Sequence, residues 1–244
     1  MNGTPILVAV ATYNEIENLP TLVTAIHEAL PKADVLVIDD DSPDGTGNWC
    51  QEFAERTDWF SVYHRPGKLG LGSALATAMK IAVEKKYEAM ITLDADWSHP
   101  PSCLPALVEA LSRADVVIGS RYCAGGGIEG WPWQRRLASR TINALARILL
   151  GTPVSDCSGN CRLYRTTLLE LLPWENMQAR GYAFIEEVLW YLHCSGARFA
   201  EVPIVFTERR AGKSKVNALE AWGALQTLLR LSWQRAVSFL PWRV

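Results

Sequence analysis

The 244-residue chain lacks any uncharged apolar run near the ~18 residues a membrane-spanning helix needs, and its N-terminus lacks a cationic segment leading into a cleavable apolar stretch. It reads as a cytosolic protein. It also lacks charge of one sign: 24 Lys and Arg stand against 26 Asp and Glu, a formal −2, so no global field favours nucleic acid as a partner. Cysteine is sparse. Cys50, Cys103, Cys123, Cys157, Cys161 and Cys194 do not repeat the Cys-x-x-Cys spacing of structural zinc sites, and a cytosolic setting argues against disulfides, so buried reduced thiols are expected.

What is present is a repeating alternation of apolar runs and helical patterns. Ile6 to Val10 is continuous and apolar, as a strand covered on both faces should be. It ends at Thr12-Tyr13-Asn14-Glu15. From Asn18, a predicted helix cap, Leu19, Leu22, Val23, Ile26 and Leu30 recur at helical spacing. Val35 to Ile38 then breaks into Asp39-Asp40-Asp41-Ser42-Pro43-Asp44-Gly45 before a helical stretch through Phe53. Phe60 to Tyr63 predicts a third strand, an alanine-rich helix follows to about Lys86, and Ala89 to Leu93 predicts the next strand. Leu104, Leu107, Val108 and Leu111 suggest a helix, Val116 to Gly119 a strand, Gly125 to Gly130 a mobile segment, and Glu201 to Phe206 a single strand. Such alternation implies a mainly parallel sheet that binds ligands at the carboxyl ends of its strands. The Tyr13 to Glu15, Asp39 to Asp41 and Asp94 to Ser98 loops should therefore converge.

Asp94-Ala95-Asp96 offers two carboxylates at a strand end, a hard-oxygen site for Mg²⁺ or Mn²⁺; a solvated turn has the same pattern. Gly67, Gly70 and Gly72 run in the reverse of the dinucleotide-binding order, and no Gly-Lys-Ser/Thr follows. The loop reads as a close backbone approach to a ligand with Lys68 near phosphate, or as a loop that merely needs positive φ. After Trp131-Pro132-Trp133, Arg135, Arg136, Arg140 and Arg147 lie among Leu137, Ile142, Leu145 and Ile148, which suits a lipid phosphate or membrane surface as well as an ordinary surface helix. Two clusters, Ser155 to Arg165 and Gly181 to Glu187, contain carboxylates suited to an acceptor or sugar hydroxyl, or to a capped helix start. Thr207 to Lys215 is a flexible cationic loop. In the tail, Leu219, Trp222, Leu225, Leu229, Trp233, Val237, Leu240 and Trp242 among Arg230, Arg235 and Arg243 describe either an interfacial helix or a core helix.

In this order the motifs resemble the dolichyl-phosphate mannose synthase branch of the family-2 glycosyltransferases. The resemblance runs from Thr12-Tyr13-Asn14-Glu15 through Asp39 to Thr46, Gly67 to Gly72, Asp94-Ala95-Asp96, Gly119-Ser120-Arg121-Tyr122 and Glu201-Val202-Pro203-Ile204 to Gly212-Lys213-Ser214-Lys215. It implies the glycosyltransferase A-type α/β fold, a mixed but mainly parallel sheet flanked by helices, with residues 1–216 as catalytic domain and 217–244 as an amphipathic helix of the same domain or on a membrane. The implied reaction transfers mannose from GDP-mannose to a polyprenyl monophosphate with inversion at the anomeric carbon. The resemblance places Ala11, Tyr13, Glu15, Ile38 and Asp40 around guanosine, with Lys68 and Ala95 also on the donor. It assigns Asp94, Asp96 and Ser98 to Mg²⁺ or Mn²⁺ and the diphosphate, Arg121 and Arg135 to acceptor phosphate, and Arg209 and Lys215 to closure over the donor. Asp96, Arg121, Arg135 and Arg209 are the implied catalytic set.

Some positions depart from that pattern. Ala11 stands where proline is frequent, Ser98 where some members have glutamine, and Ile185 where glutamine often follows the phenylalanine; His99 fits better as a support for the site than as a ligand. No catalytic base is required, because a phosphate monoester with a second pKa of ~6 is already largely dianionic at neutral pH. The implied location is the cytoplasmic face of a membrane, held peripherally or by a small anchoring subunit. UDP-glucose or another nucleotide sugar is the competing donor. A non-catalytic nucleotide-sugar-binding protein is expected to have lost Asp96, Arg121 or Lys215, and all three are present.

Overall fold

Strand β1 (Ile6–Thr12) is buried on both faces, as its unbroken apolar run requires. The computed structural model describes residues 5–208 and 218–238. After β1 come α1 (Leu19–Ala29), β2 (Asp34–Asp39), α2 (Thr46–Ala54), β3 (Phe60–His64), α3 (Leu71–Glu84) and β4 (Ala89–Asp94). A 3₁₀ turn (Pro101–Cys103) leads into α4 (Leu104–Ala110), β5 (Val116–Ser120), β6 (Gly127–Ile128) and α5 (Trp133–Leu150). The remainder is β7 (Arg162–Arg165), α6 (Thr166–Leu169), α7 (Ala183–Cys194), β8 (Phe199–Pro203), β9 (Val205–Phe206) and α8 (Ala218–Ser238).

Seven strands form one sheet in the order β3-β2-β1-β4-β7-β5-β8, while β6 and β9 pair separately. All neighbours in the large sheet run parallel except β7, which is antiparallel to both β4 and β5. Period-two alternation divides β1 between two cores. Ile6, Val8 and Val10 pack with Leu19, Leu22 and Ile26 of α1 and with Leu104 and Leu107 of α4. Leu7 and Ala9 face Leu75, Ala78 and Met79 of α3, in a core that also takes residues from α5, α7 and α8. The result is a three-layer α/β/α arrangement of the glycosyltransferase A kind.

Three expectations change. Asn18 makes no side-chain cap; its Nδ2 donates instead to Glu15 Oε2 at 2.9 Å. The apolar run Glu201 to Phe206 is two strands, not one: β8 closes at Pro203, which has no N–H to continue a ladder, and Ile204 donates to Ser120 O before β9 joins β6. That pairing also gives regular structure to part of the Gly125 to Gly130 segment. Among the cysteines Cys50, Cys103, Cys157 and Cys161 are buried, Cys123 is half-buried and Cys194 is exposed.

Helix α8 packs on the core along one side and leaves apolar side chains exposed on another. Leu228 and Leu231 are buried, and Arg235 Nη1 donates to the terminal carbonyls of α5 at Ile148 (3.1 Å) and Leu149 (3.2 Å). Its opposite side exposes Leu225, Leu229, Trp233 and Val237. The side chains of Leu219 and Trp222, and residues Leu240, Trp242 and Arg243, lie outside what the structure describes. No described helix is long and apolar enough to cross a membrane.

Candidate active site

The carboxyl ends of β1, β2 and β4 stand side by side, with Ala11 flanked by Ile38 on one strand and Asp94 on the other. Beyond them opens a cavity of about 310 Å³. Ala11, Tyr13 and Glu15 line it after β1, Asp40 after β2, and Asp94, Ala95 and Asp96 after β4. Lys68 and Gly70 close one side and Tyr182 another. Ile38 does not reach it; its side chain is buried in the core shared with α3.

A buried ion pair fastens the glycine-rich loop to this cavity. Asp40 Oδ2 accepts the N–H groups of Leu69 and Gly70 at 3.0 Å each, and Oδ1 accepts Arg65 Nε at 2.5 Å. Arg65 continues to Ser73 Oγ (2.7 Å) and Gly70 O (3.0 Å). Gly70 has φ of 89°, and a Cβ on Gly72 would lie 2.7 Å from Phe184 Cβ, so both positions demand glycine. Lys68 Nζ sits 4.3 Å from the Tyr13 ring centroid, a cation–π contact beside the cavity. Sequence reasoning passed over Arg65, whose only signal is its place directly after a strand.

The Asp94 to His99 loop carries the candidate metal ligands. Asn160 Nδ2 donates to Asp94 Oδ1 at 2.8 Å, and Ser98 N donates to Asp96 Oδ1 at 3.1 Å, while Trp97 takes a positive φ of 65° to make the turn. Burial raises the Asp94 carboxyl, His99 opposes that, and the charge of Asp96 adds to it. Burial lowers His99, whose Nδ1 lies 3.8 Å from Asp94 Oδ2. Ser98 Oγ and His99 Nδ1 are buried with no hydrogen-bond partner among the described residues. No cluster of three His, Cys, Asp or Glu side chains able to hold a metal occurs among the described residues. Two mutually repelling carboxylates and a buried hydroxyl without a partner among the described residues fit a small hard cation that takes its remaining ligands from phosphate and water, as Mg²⁺ commonly does.

Arg121, at the end of β5, is buried against Asp156. Its Nε and Nη2 donate to the two carboxylate oxygens at 2.7 Å each, and Nη2 also reaches Ser158 Oγ at 2.9 Å. Burial pushes the Asp156 carboxyl up, but the hydrogen bonds and charge of Arg121 outweigh it and hold the group below the usual carboxylate range. Arg135 lies over the Trp131 ring at 3.8 Å and 3.5 Å from Glu208 Oε1. Phe206 joins these pieces: its ring is 5.2 Å from Trp131, 5.4 Å from His99 and 5.6 Å from the Arg121 guanidinium carbon. Thr207 N donates to Ser98 O at 3.2 Å, tying the end of β9 to the aspartate loop. Arg209 and Lys215 lie outside the described residues. Glu186 and Glu187 are buried in α7 and do not line the cavity, and burial raises the Glu186 carboxyl to about 8 against the pull of Arg162.

Residues 7–172 match the model of glycosyl transferase family 2. The chain is 41% identical over 213 residues to the polyprenol monophosphomannose synthase of Mycolicibacterium smegmatis, covering 86% of this chain and 80% of that protein. It is 39% identical over 212 residues to the undecaprenyl-phosphate mannosyltransferase of Micrococcus luteus, covering 87% of each. Among solved structures, glucosyl-3-phosphoglycerate synthase from Mycobacterium tuberculosis, in complex with Mn²⁺, UDP and glucosyl-3-phosphoglycerate, superposes with a TM-score of 0.68 at 20% identity over 95% of this chain and 81% of that one. The mannosyltransferase PcManGT from Pyrobaculum calidifontis, in complex with GDP-Man and Mn²⁺, does so with 0.62 at 22% identity over 97% and 65%. At these identities the two structures speak for the fold.

Proposed function

The chain belongs to the family-2 glycosyltransferases, and on that premise we propose that it transfers mannose from GDP-mannose to a polyprenyl monophosphate, inverting the anomeric carbon and releasing GDP. The observation that carries this reading is the meeting of Asp94 and Asp96 with the Tyr13, Glu15 and Asp40 loops around one cavity. Support for the acceptor comes from the two relatives named for mannosyl transfer to polyprenol and undecaprenyl phosphate. Support for the donor and the metal comes from the Pyrobaculum enzyme with GDP-Man and Mn²⁺.

In this reading the nucleoside diphosphate occupies the cavity, with Tyr13, Glu15 and Asp40 at the guanosine end. Asp94 and Asp96 hold Mg²⁺ or Mn²⁺, with Ser98 beside them; when bound, the ion neutralises charge on the departing diphosphate. The acceptor phosphate arrives as its own nucleophile, so the remaining task is to bind and orient it. Arg121 and Arg135 are proposed for that task, and Arg209 and Lys215 for closure over the donor.

A polyprenyl acceptor requires a membrane surface, and the proposed contact is the outer side of α5 with α8. Helix α5 exposes Trp133, Leu137, Ile142, Leu145 and Ile148. Its charged residues are Arg135, Arg136, Arg140 and Arg147, with no acidic residue, a pattern suited to anionic headgroups. Radiolabel transfer from a panel of nucleotide sugars to a short polyprenyl phosphate, with Mg²⁺ or Mn²⁺, tests the whole reading. Mannosyl transfer from GDP-mannose is expected; transfer from UDP-glucose alone, or from no donor, overturns it.

A further inference from the structure

Tyr182 reaches the cavity from the residue before α7, at the end of a segment without regular structure. Two N–H groups of that segment, Gln178 (3.1 Å) and Ala179 (2.8 Å), donate to the carboxylate of Glu187, which is fully buried one turn inside α7. The same carboxylate accepts Arg230 Nη2 of α8 at 2.5 Å. On the other side Gly181, with φ of 57°, backs directly onto Gly72 of the glycine-rich loop. A buried carboxylate is costly unless its oxygens are satisfied by strong donors. Here the donors are the backbone leading to Tyr182 and a guanidinium from the C-terminal helix, and none of the chemistry assigned above uses them.

We infer that Glu187 is a positioning residue for the nucleotide donor, acting through Tyr182, and that Arg230 makes α8 part of the support of the donor cavity. The inference rests on the reading of that cavity as the donor site. Loss of the Glu187 charge lets the 178–181 segment relax and withdraws Tyr182 from the cavity wall, while the acceptor arginines, held by Asp156 and Trp131, keep their places.

The test uses the full chain and its Glu187→Gln, Tyr182→Ala and combined variants, with calorimetric titration of GDP and a separate KM for polyprenyl phosphate. Glu187→Gln and Tyr182→Ala should each raise the Kd for GDP about tenfold while leaving the acceptor KM within about twofold. The double variant should bind GDP no more weakly than the weaker single variant, the non-additivity expected of residues acting in series. An unchanged GDP affinity in a folded Glu187→Gln protein, or additive losses in the double variant, overturns the inference. If Glu187→Gln does not fold, Arg230→Met interrogates the same link from α8: a rise of about threefold in the GDP Kd supports it and an unchanged value overturns it. Failure of the parent chain to bind GDP or UDP at all removes the donor reading and this inference together, whereas binding that ignores Glu187 and Arg230 removes this inference alone.

Discussion

The Arg121 guanidinium and the Asp156 carboxylate face each other fork to fork, and neither side chain is more than 7% exposed. A charge so placed is held in one orientation before any substrate arrives, which is the condition for electrostatic catalysis without reorganisation.

Asp156→Ala should therefore cost more than a surface ion pair does. Leaving Arg121 buried and uncompensated should destabilise the fold by about 3–5 kcal/mol, read by urea denaturation. Joint replacement Arg121→Met with Asp156→Leu should recover only part of that stability, because the buried N–H groups of Arg121 and Gly159 lose their Asp156 acceptor, and it should abolish transferase activity. If the joint variant remains active, Arg121 has no role with acceptor phosphate.

Asp96→Ala should reduce turnover by at least about 10²-fold, a loss on the scale of removing one strong transition-state contact. The melting temperature should fall little, because the carboxylate lines the cavity and is not part of the hydrophobic core. Near-normal turnover at saturating Mg²⁺ or Mn²⁺ sinks the metal assignment.

Glu186 gives a pH dependence of stability with a defined sign. Its carboxyl rises from 4.5 to about 8 on folding because burial penalises the charge. The folded chain thus keeps a proton that the unfolded chain releases, so stability declines as pH climbs from about 4.5 to about 8 and levels off beyond. Glu186→Gln should flatten this window and be more stable than the parent at pH 8 and above. Parallel denaturation profiles for the two proteins across the window contradict the assignment.

Helices α5 and α8 should carry the chain onto anionic vesicles. Flotation with phosphatidylglycerol-containing liposomes should fall about tenfold in Trp133→Ser/Trp233→Ser, whose side chains are 69% and 72% exposed, and in Arg140→Glu/Arg147→Glu. Unaltered flotation in both places the membrane contact elsewhere.

The large features of the fold were legible because they are periodic. The run Ile6 to Val10 and the helical spacing of Leu19, Leu22 and Ile26 follow directly from burial on two faces and on one. The loops at the strand ends were legible for the same reason: parallel strands deliver Tyr13, Asp40 and Asp94 to one edge. What escaped depends on contacts between residues distant in the chain. Arg65 becomes Asp40's partner only through the β2–β3 pairing, Asp156 becomes Arg121's only through β7, and Phe206 meets His99 only because Pro203 ends one strand and Val205 starts another. Ile38 stands beside Ala11 on the neighbouring strand, but its side chain is buried in the core, an orientation set by the sheet and not visible in the sequence.

The reversed strand β7 has one further consequence. Running against its neighbours, it brings the chain that precedes it to the rim where β4 and β5 deliver their carboxyl ends. Asn160 there grips Asp94, and Asp156, four residues earlier, grips Arg121. A single short piece of backbone thus acts as a ruler between the two halves of the sheet, and in the proposed reaction the distance from donor side to acceptor side is a length written into five consecutive residues.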